Sequence, residues 1–159
     1  MVPLATAIEP FRSVNSYGLF AVMTTTRPEI VVEGSNDGST WLPYEFRYKA
    51  GDPRRRPPWV APHQPRLDWQ MWFAALSQFD QERWFDAFCE RLLEGSPEVL
   101  RLLEGDPFHG TPPRYIRGVV YDYHFTTNAA RRRDGVWWRR ERVREYSPVL
   151  SLNPAGSRR

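Results

Sequence analysis

Hydrophobic and polar residues change their spacing twice along the chain. Short apolar runs rich in β-formers predict three strands in the first third, and mostly alternating residues predict two more near the C-terminus. The predicted strands are Tyr17–Thr25, Glu29–Glu33, Thr40–Tyr48, Tyr115–Thr126 and Val136–Val143. Asn36-Asp37-Gly38 tolerates positive φ and predicts a tight reversal, and Asp134-Gly135 predicts a polar turn between the last two strands. The last pair should form an antiparallel hairpin.

Between the two groups of strands the chain is first proline-rich and then helical. Pro53, Pro57, Pro58, Pro62 and Pro65 deny Ala50–Arg66 both helix and a paired central strand, so this segment should run extended. The predicted helices are Leu67–Leu76, Gln81–Glu94 and a third that begins at Ser96-Pro97 and ends at Gly105. Helices inserted between the third and fourth strands indicate an α+β domain with a mainly antiparallel sheet. Residues 1–159 should form a single domain, with 1–13 and 153–159 irregular.

The first predicted helix is apolar nearly all round. Trp69, Trp72, Phe73 and Leu76 fall at i, i+3, i+4 and i+7, which is one helix face. Such a helix is usually buried, so core packing is favoured over an exposed aromatic patch. Asp68 follows the helix start, where a carboxylate suits the helix dipole and could orient Arg66.

Composition narrows the classes of function. The chain has 159 residues, of which 41% are hydrophobic and 14% aromatic with seven Trp, so a large aromatic core or an aromatic-lined cleft is expected. A balance of 22 basic to 19 acidic residues argues against a nucleic-acid binder. No apolar run is long enough to span a membrane, and the N-terminus lacks a signal-peptide pattern, so this piece is expected to be soluble.

Recognisable catalytic and metal-binding motifs are missing from the sequence. His63, His109 and His124 are scattered, and the single Cys89 sits in a helical pattern where a buried hydrophobe is expected. The sequence has no nucleophile elbow, phosphate loop or dinucleotide fingerprint. We therefore expect no catalytic residue, no metal and no cofactor.

Arginine is concentrated in three places. The runs 54–56 and 131–133 fall in predicted loops, where solvated charge is favoured over a site for an anion or an acidic partner. Residues 136–145 mix Trp and Arg with Glu, which favours an edge strand protected by charge over a recognition strand.

Five stretches of the chain resemble the C-terminal domain of the lipase maturation factor family. They are "VNSYGLFAVMTTTRPEIVVEGSNDGSTWLPYEFRYKAGD", "RRPPWVAPHQPRLDWQMWFAAL", "WFDAFCERLLEGSPEVLRLL", "PPRYIRGVVYDYHFT" and "WWRRE". The resemblance runs from about Val14 to Leu152 and is most specific in "APHQPRLDWQMWFAAL". A shorter one, "VVEGSNDGSTW", resembles the turn of discoidin-like and galactose-binding-like jelly rolls, and supports a β-sandwich as the alternative fold.

The family resemblance implies a part of a polytopic membrane protein. Animal members are implied to reside in the endoplasmic reticulum and to assist folding and dimer assembly of secreted lipases. Their C-terminal domain would face the lumen and engage clients without catalysis. The arginine-rich composition indicates a bacterial member at the cell membrane, and membrane attachment would need spans that this chain does not contain.

Three functions follow as hypotheses. The first is a non-enzymatic folding or maturation module whose partner is a client protein such as a lipase, with no nucleic acid. Its binding residues would lie at the proline-rich segment and first helix: Trp59, His63, Gln64, Arg66, Asp68 and Trp69. The second is a carbohydrate- or lipid-binding β-sandwich. The third is an enzyme that uses His63 with Asp68, or Asp122 with His124.

Overall fold

A four-stranded antiparallel sheet with helices packed on it forms the framework of the chain, described for residues 26–60 and 62–152 by a computed structural model. The strands are β1 (Pro28–Ser35), β2 (Leu42–Tyr44), β3 (Tyr115–Phe125) and β4 (Trp138–Glu145), in the order β2-β1-β3-β4. The helices are α1 (Arg66–Ala74), α2 (Arg83–Leu93), α3 (Pro97–Leu100) and α4 (Asn128–Asp134), with a 3-10 turn at Phe79–Gln81. The first three helices lie between β2 and β3, which confirms the α+β class. The described strands form one sheet rather than a sandwich, and the predicted strand Tyr17–Thr25 and irregular ends lie outside the described residues.

The reversal after β1 is fixed by side-chain hydrogen bonds. The Asp37 carboxylate accepts the backbone N–H groups of Ser39 and Thr40 at 2.8 and 2.7 Å, and the Ser35 hydroxyl accepts that of Gly38 at 2.9 Å. The amides of Thr40 and Ser39 hold the pKa of Asp37 well below its ordinary value, and Gly38 adopts φ 75°. This confirms the predicted turn, in which Asp37 supplies the hydrogen-bond acceptor and Gly38 the positive φ that a tight reversal requires.

Strand β2 is shorter than the predicted strand Thr40–Tyr48. Thr40 belongs to the turn, and after Tyr44 the chain leaves β1 to form a bridge between Phe46 and Leu103. The Arg47 guanidinium strengthens this departure by donating to the carbonyl of Leu103 at 3.0 Å. Contacts with Leu103, in the helical region, therefore replace the strand that the local sequence pattern predicted to continue to Tyr48.

The main core lies between the sheet and helix α2. Its buried members include Ile30 and Val32 of β1, Ile116 and Val120 of β3, and Phe85, Cys89 and Leu92 of α2. A Cβ atom at Gly118 would lie 3.1 Å from the Phe85 ring, so glycine allows the helix to approach β3 closely. Each fully buried aliphatic or aromatic side chain contributes about 1.5–3 kcal/mol.

The face of α1 that was predicted to be core is the outer face. Phe73 and Leu76 are 42% and 52% exposed, and Trp69 and Trp72 are only half-buried. The inward side chains are instead Asp68, Met71, Ala74 and, just after the helix, Ala75. Two alanines let the helix backbone approach the sheet where four bulky side chains would not fit. The apolar pattern predicted the helix correctly but predicted the wrong face of it to be buried.

The linker between β3 and β4 is a short helix and not the predicted polar turn. The Thr127 hydroxyl accepts the N–H of Ala130 at 3.2 Å at its start, and Gly135 ends it with φ 68°. Strands β3 and β4 are antiparallel as predicted, and β4 lies at one edge of the described sheet. The third predicted helix is also shorter, because α3 ends at Leu100.

Candidate functional site

A cavity of about 440 Å³ lies beside the proline-rich segment. The start of β1, residues 48–60 and helix α1 surround it. Its apolar wall includes Pro57, Pro58 and Trp72, and its polar lining includes Glu29, Lys49 and Asp68. Cavities with mostly apolar walls and a few fixed polar groups are typical binding sites.

Two opposite charges are buried together at the base of this cavity. The exposed fractions of Lys49 and Glu29 are 4% and 1%, and the Lys49 Nζ lies 3.5 Å from Glu29 Oε2. Arg27 Nε donates to the other oxygen of Glu29 at 3.0 Å, and Lys49 Nζ donates to the carbonyl of Ala50 at 3.0 Å. Burial lowers the pKa of Lys49, while the Glu29 carboxylate counteracts part of that shift. Sequence reasoning missed this pair, although Lys49 is the chain's only lysine.

Asp68 joins helix α1 to the edge of the cavity. Its Oδ1 accepts the backbone N–H groups of Tyr48 and Lys49 at 2.8 and 2.9 Å, and the residue is 1% exposed. Arg66 is exposed and forms no ion pair with Asp68, so the predicted orientation of an arginine is wrong. The carboxylate is buried because two otherwise unpaired amides need an acceptor.

Arg55 ties the proline-rich segment to the rest of the domain. Its guanidinium donates to the carbonyls of Phe46 and Lys49 at 2.5 and 2.6 Å and forms an ion pair with Glu104 at 2.9 Å. The interpretation of residues 54–56 as solvated charge is therefore wrong for the middle arginine. These three interactions of Arg55 hold the proline-rich segment in place, although its own sequence predicts only an extended backbone without strand pairing.

The six predicted binding residues occupy different depths. Trp59 is 86% exposed, His63 and Arg66 are exposed, Gln64 and Trp69 are half-buried, and Asp68 is buried. Gln64 and Asp68 line the cavity, as does Trp72, which sequence reasoning had placed in the core. The Trp69 ring lies 5.5 Å from that of Trp72 and 4.8 Å from that of Phe73, so α1 presents an aromatic cluster.

The two acid–histidine pairs of the enzyme hypothesis have different outcomes. Asp122 Oδ2 and His124 Nε2 lie 3.1 Å apart on β3, but neither residue lines the cavity. Asp68 uses its Oδ1 for backbone amides, and no hydrogen bond joins it to His63. Cys89 is buried, which raises the pKa of its thiol far above the ordinary value. Within the described ranges no group of three or more His, Cys, Asp or Glu side chains could hold a metal ion.

Tyr123 of β3 attaches the loop at Gly51, beside the cavity, to the sheet. Its hydroxyl donates to the carbonyl of Gly51 at 2.7 Å and accepts from the Arg140 guanidinium at 3.0 Å. The ring also packs with Ala50 and Trp138 in a second, smaller core. Burial raises the pKa of Tyr123 to about 12, against the opposing effect of Arg140.

We expect the substitution Tyr123→Phe to lower the free energy of unfolding by about 1–2 kcal/mol at neutral pH, because two partners lose their hydrogen bond. The raised pKa means that the folded state keeps a proton that the unfolded state loses. The wild-type advantage should be complete below pH 10 and shrink as pH rises towards about 12. Urea unfolding of both proteins across this range measures it. A difference that stays constant would contradict the assignment.

Comparisons with known proteins agree with the resemblance in the sequence. The family model described as the lipase maturation factor C-terminal domain matches residues 13–148. Lipase maturation factor 2 of Gallus gallus is 48% identical over 153 residues, covering 92% of the chain and 21% of that relative. The Homo sapiens protein of the same name is 48% identical over 152 residues, with the same coverage of 92% and 21%. Lipase maturation factor 1 of Mus musculus is 41% identical over 155 residues, covering 92% of the chain and 27% of that relative.

The chain spans between a fifth and just over a quarter of the length of these relatives. No solved structure matches it. Within the described residues, no helix has the length and apolar composition that crossing a bilayer requires. The match of the family model over most of the sequence, together with the identity to its members, shows that the chain belongs to the lipase maturation factor family.

Proposed function

We propose that the chain is a non-enzymatic client-binding domain of a maturation factor, acting on client proteins such as secreted lipases. The names of its relatives support the lipase as client. The binding surface is formed by the proline-rich segment and the outer face of α1, with Trp59, His63, Gln64, Arg66, Asp68 and Trp69 in it. The domain works as one unit over residues 1–159 in an extracytoplasmic compartment, where secreted lipases fold. Other parts of such proteins supply membrane attachment.

Exposed aromatic surface on both sides of one cavity is the observation that carries this proposal. Trp59 is almost fully exposed on the proline-rich side, and Phe73 on α1 and Leu76 just after it are exposed. Pro58 and Trp72 bring the two sides together, since both line the cavity. Large exposed apolar side chains grouped in this way mark sites for other proteins. Incompletely folded clients expose the apolar segments that such a surface would bind.

Rigidity is the second feature that supports a binding role. Prolines restrict the backbone of the segment. Arg55 attaches it to the carbonyls of Phe46 and Lys49, and Asp68 attaches the amide of Tyr48 to α1. A surface already held in its binding conformation loses little conformational entropy when a client binds. The buried charges of Glu29 and Lys49 then serve to fix the loop beneath the surface.

Client binding can be tested with the purified chain and an immobilised secreted lipase diluted from denaturant. We expect Trp59→Ser together with Trp69→Ser to weaken binding about tenfold or more, since anchoring aromatic side chains dominate such interfaces. Leu102→Ser is the matched control, because Leu102 is 51% exposed on another part of the surface. Equal loss in both variants would contradict the location of the site. Absence of lipase binding by the wild-type chain would contradict the function.

A further inference from the structure

The two arginine runs of the sequence converge on one tryptophan. The Cζ atoms of Arg56 and Arg131 lie 5.6 and 4.5 Å from the centroid of the Trp137 ring. The backbone holds the first run beside Trp137, because the carbonyl of Pro53 accepts the N–H groups of Trp137 and Trp138 at 2.8 and 3.0 Å, and Arg131 approaches the ring from helix α4. Residues that are distant in sequence thus form one cationic surface, which we name the Trp137 arginine surface.

Four arginines of the two runs, two of them at Trp137, have no carboxylate partner among the described residues. In the two runs, Arg55 is paired with Glu104 and Arg133 with Asp134. No ion pair involves Arg54, Arg56, Arg131 or Arg132 within residues 26–60 and 62–152. Arg54, Arg56 and Arg132 are exposed, and Arg131 is half-buried. The surface therefore carries several positive charges that the protein does not neutralise.

The arrangement at Trp137 favours a carboxylate ligand. Two guanidinium groups over one indole repel each other, and an anion between or beside them would relieve that repulsion. A guanidinium held near an aromatic ring retains N–H groups that can bind a carboxylate in a bidentate manner. The contact with the Trp137 ring restricts Arg56 and Arg131, so binding a planar anion costs less side-chain entropy than at a free surface arginine.

Arg56 connects this surface to the cavity already described. The same side chain lines the cavity with Pro57 and Pro58 and approaches Trp137. A polypeptide with an apolar side chain next to acidic residues could therefore occupy both places at once. This continuity favours a peptide over a membrane surface, because a lipid headgroup layer offers no side chain to enter the cavity.

We propose that the Trp137 arginine surface binds an acidic segment of the client polypeptide. The identity of the partner as a client rests on the proposed function, whereas the acidic chemistry follows from Arg54, Arg56, Arg131 and Arg132. Carboxylates of the segment bind Arg56 and Arg131 directly, and the exposed Arg54 and Arg132, close to them in sequence, add positive charge. The segment's apolar side chain enters the neighbouring cavity.

The probe is a fluorescent synthetic peptide that alternates Glu with Leu, and binding is measured by anisotropy with the full chain. Arg56→Gln together with Arg131→Gln should weaken binding about tenfold or more. The matched control, Arg83→Gln with Arg114→Gln, removes two exposed arginines from other elements and should change binding less than about twofold. Raising the salt from about 50 to 300 mM should weaken the wild-type complex and affect the double variant less. Melting curves for each variant verify folding.

Three outcomes would overturn the inference. They are equal loss in the test and control variants, binding that Arg56→Gln with Arg131→Gln leaves unchanged, and binding of phosphatidylserine vesicles without binding of the peptide. Measuring lipase binding and peptide binding with the same wild-type chain separates the two proposals. If the chain does not bind lipase but binds the peptide through Arg56 and Arg131, the proposed function fails and the acidic-segment site stands. If it binds lipase but not the peptide, the reverse holds.

Discussion

Replacing Lys49 by methionine is expected to lower the free energy of unfolding by about 3 kcal/mol, at the low end for breaking a buried ion pair. The Glu29 carboxylate would stay buried with only Arg27 beside it, and Arg27 is 46% exposed. Its Oε2 already has no hydrogen-bond donor, and the variant would also lose the Lys49 ammonium that lies 3.5 Å from that oxygen. Urea unfolding followed by tryptophan fluorescence measures the change.

A double-mutant cycle with Glu29→Gln tests whether the pair acts as a unit. Each single variant should be destabilised, and the double variant should be destabilised by clearly less than the sum of the two, because it leaves no uncompensated charge. The surface pair Arg91 and Glu94, 63% and 37% exposed, is the matched control and should contribute about 0–1 kcal/mol. Additive effects at Glu29 and Lys49 would show that the two charges are energetically independent.

The same pair predicts a dependence on pH. Because the pKa of Lys49 is lowered by folding, the folded state binds fewer protons than the unfolded state between that pKa and 10.5. Stability should therefore gain a favourable contribution from Lys49 as pH rises through this window. Glu29→Gln removes the charge that holds the pKa up and should extend the window to lower pH. Lys49→Met should abolish the contribution, which distinguishes it from the opposite contribution of Tyr123 above pH 10.

Local sequence signals predicted most of the elements in the described residues. Asp37 and Gly38 set the reversal after β1, and Gly95 and Pro97 separate α2 from α3. In each case the decisive interaction lies within a few residues along the chain. Such interactions can be predicted from the sequence, because turn propensity and helix capping depend on residues close together in the chain.

The candidate site was only partly predictable because its geometry depends on contacts between distant residues. Asp68 is buried by amides 19 and 20 residues away, and Arg55 is bound to Glu104. Helix α1 turns its Ala74 side towards the sheet because a small side chain allows a close approach there. The spacing of apolar residues along the helix does not predict this. A lone lysine in an arginine-rich chain was the one signal that could have drawn attention to Lys49.

Replacing Asp68 by alanine should be the other strongly destabilising change. Two backbone N–H groups, of Tyr48 and Lys49, would lose their acceptor, and each unsatisfied buried donor costs about 1–3 kcal/mol. We expect a total loss of about 3 kcal/mol, against less than about 0.5 kcal/mol for Arg66→Ala, an exposed neighbour on the same helix. Urea unfolding of the three proteins provides the measurement.

Hydrogen exchange separates loss of this specific attachment from general destabilisation. In Asp68→Ala the amides of Tyr48 and Lys49 should exchange much faster, while amides in the β1–β3 pairing change only by the global loss of stability. Asp68→Asn retains one acceptor oxygen and should lose only about half as much stability as the alanine variant, since a neutral acceptor bonds more weakly than a carboxylate. If both amides stay protected in Asp68→Ala, another group accepts them and the carboxylate does not hold α1 to the loop. If they are released, the cavity wall loosens with them, and under the proposed function lipase binding should fall together with the protection of these two amides.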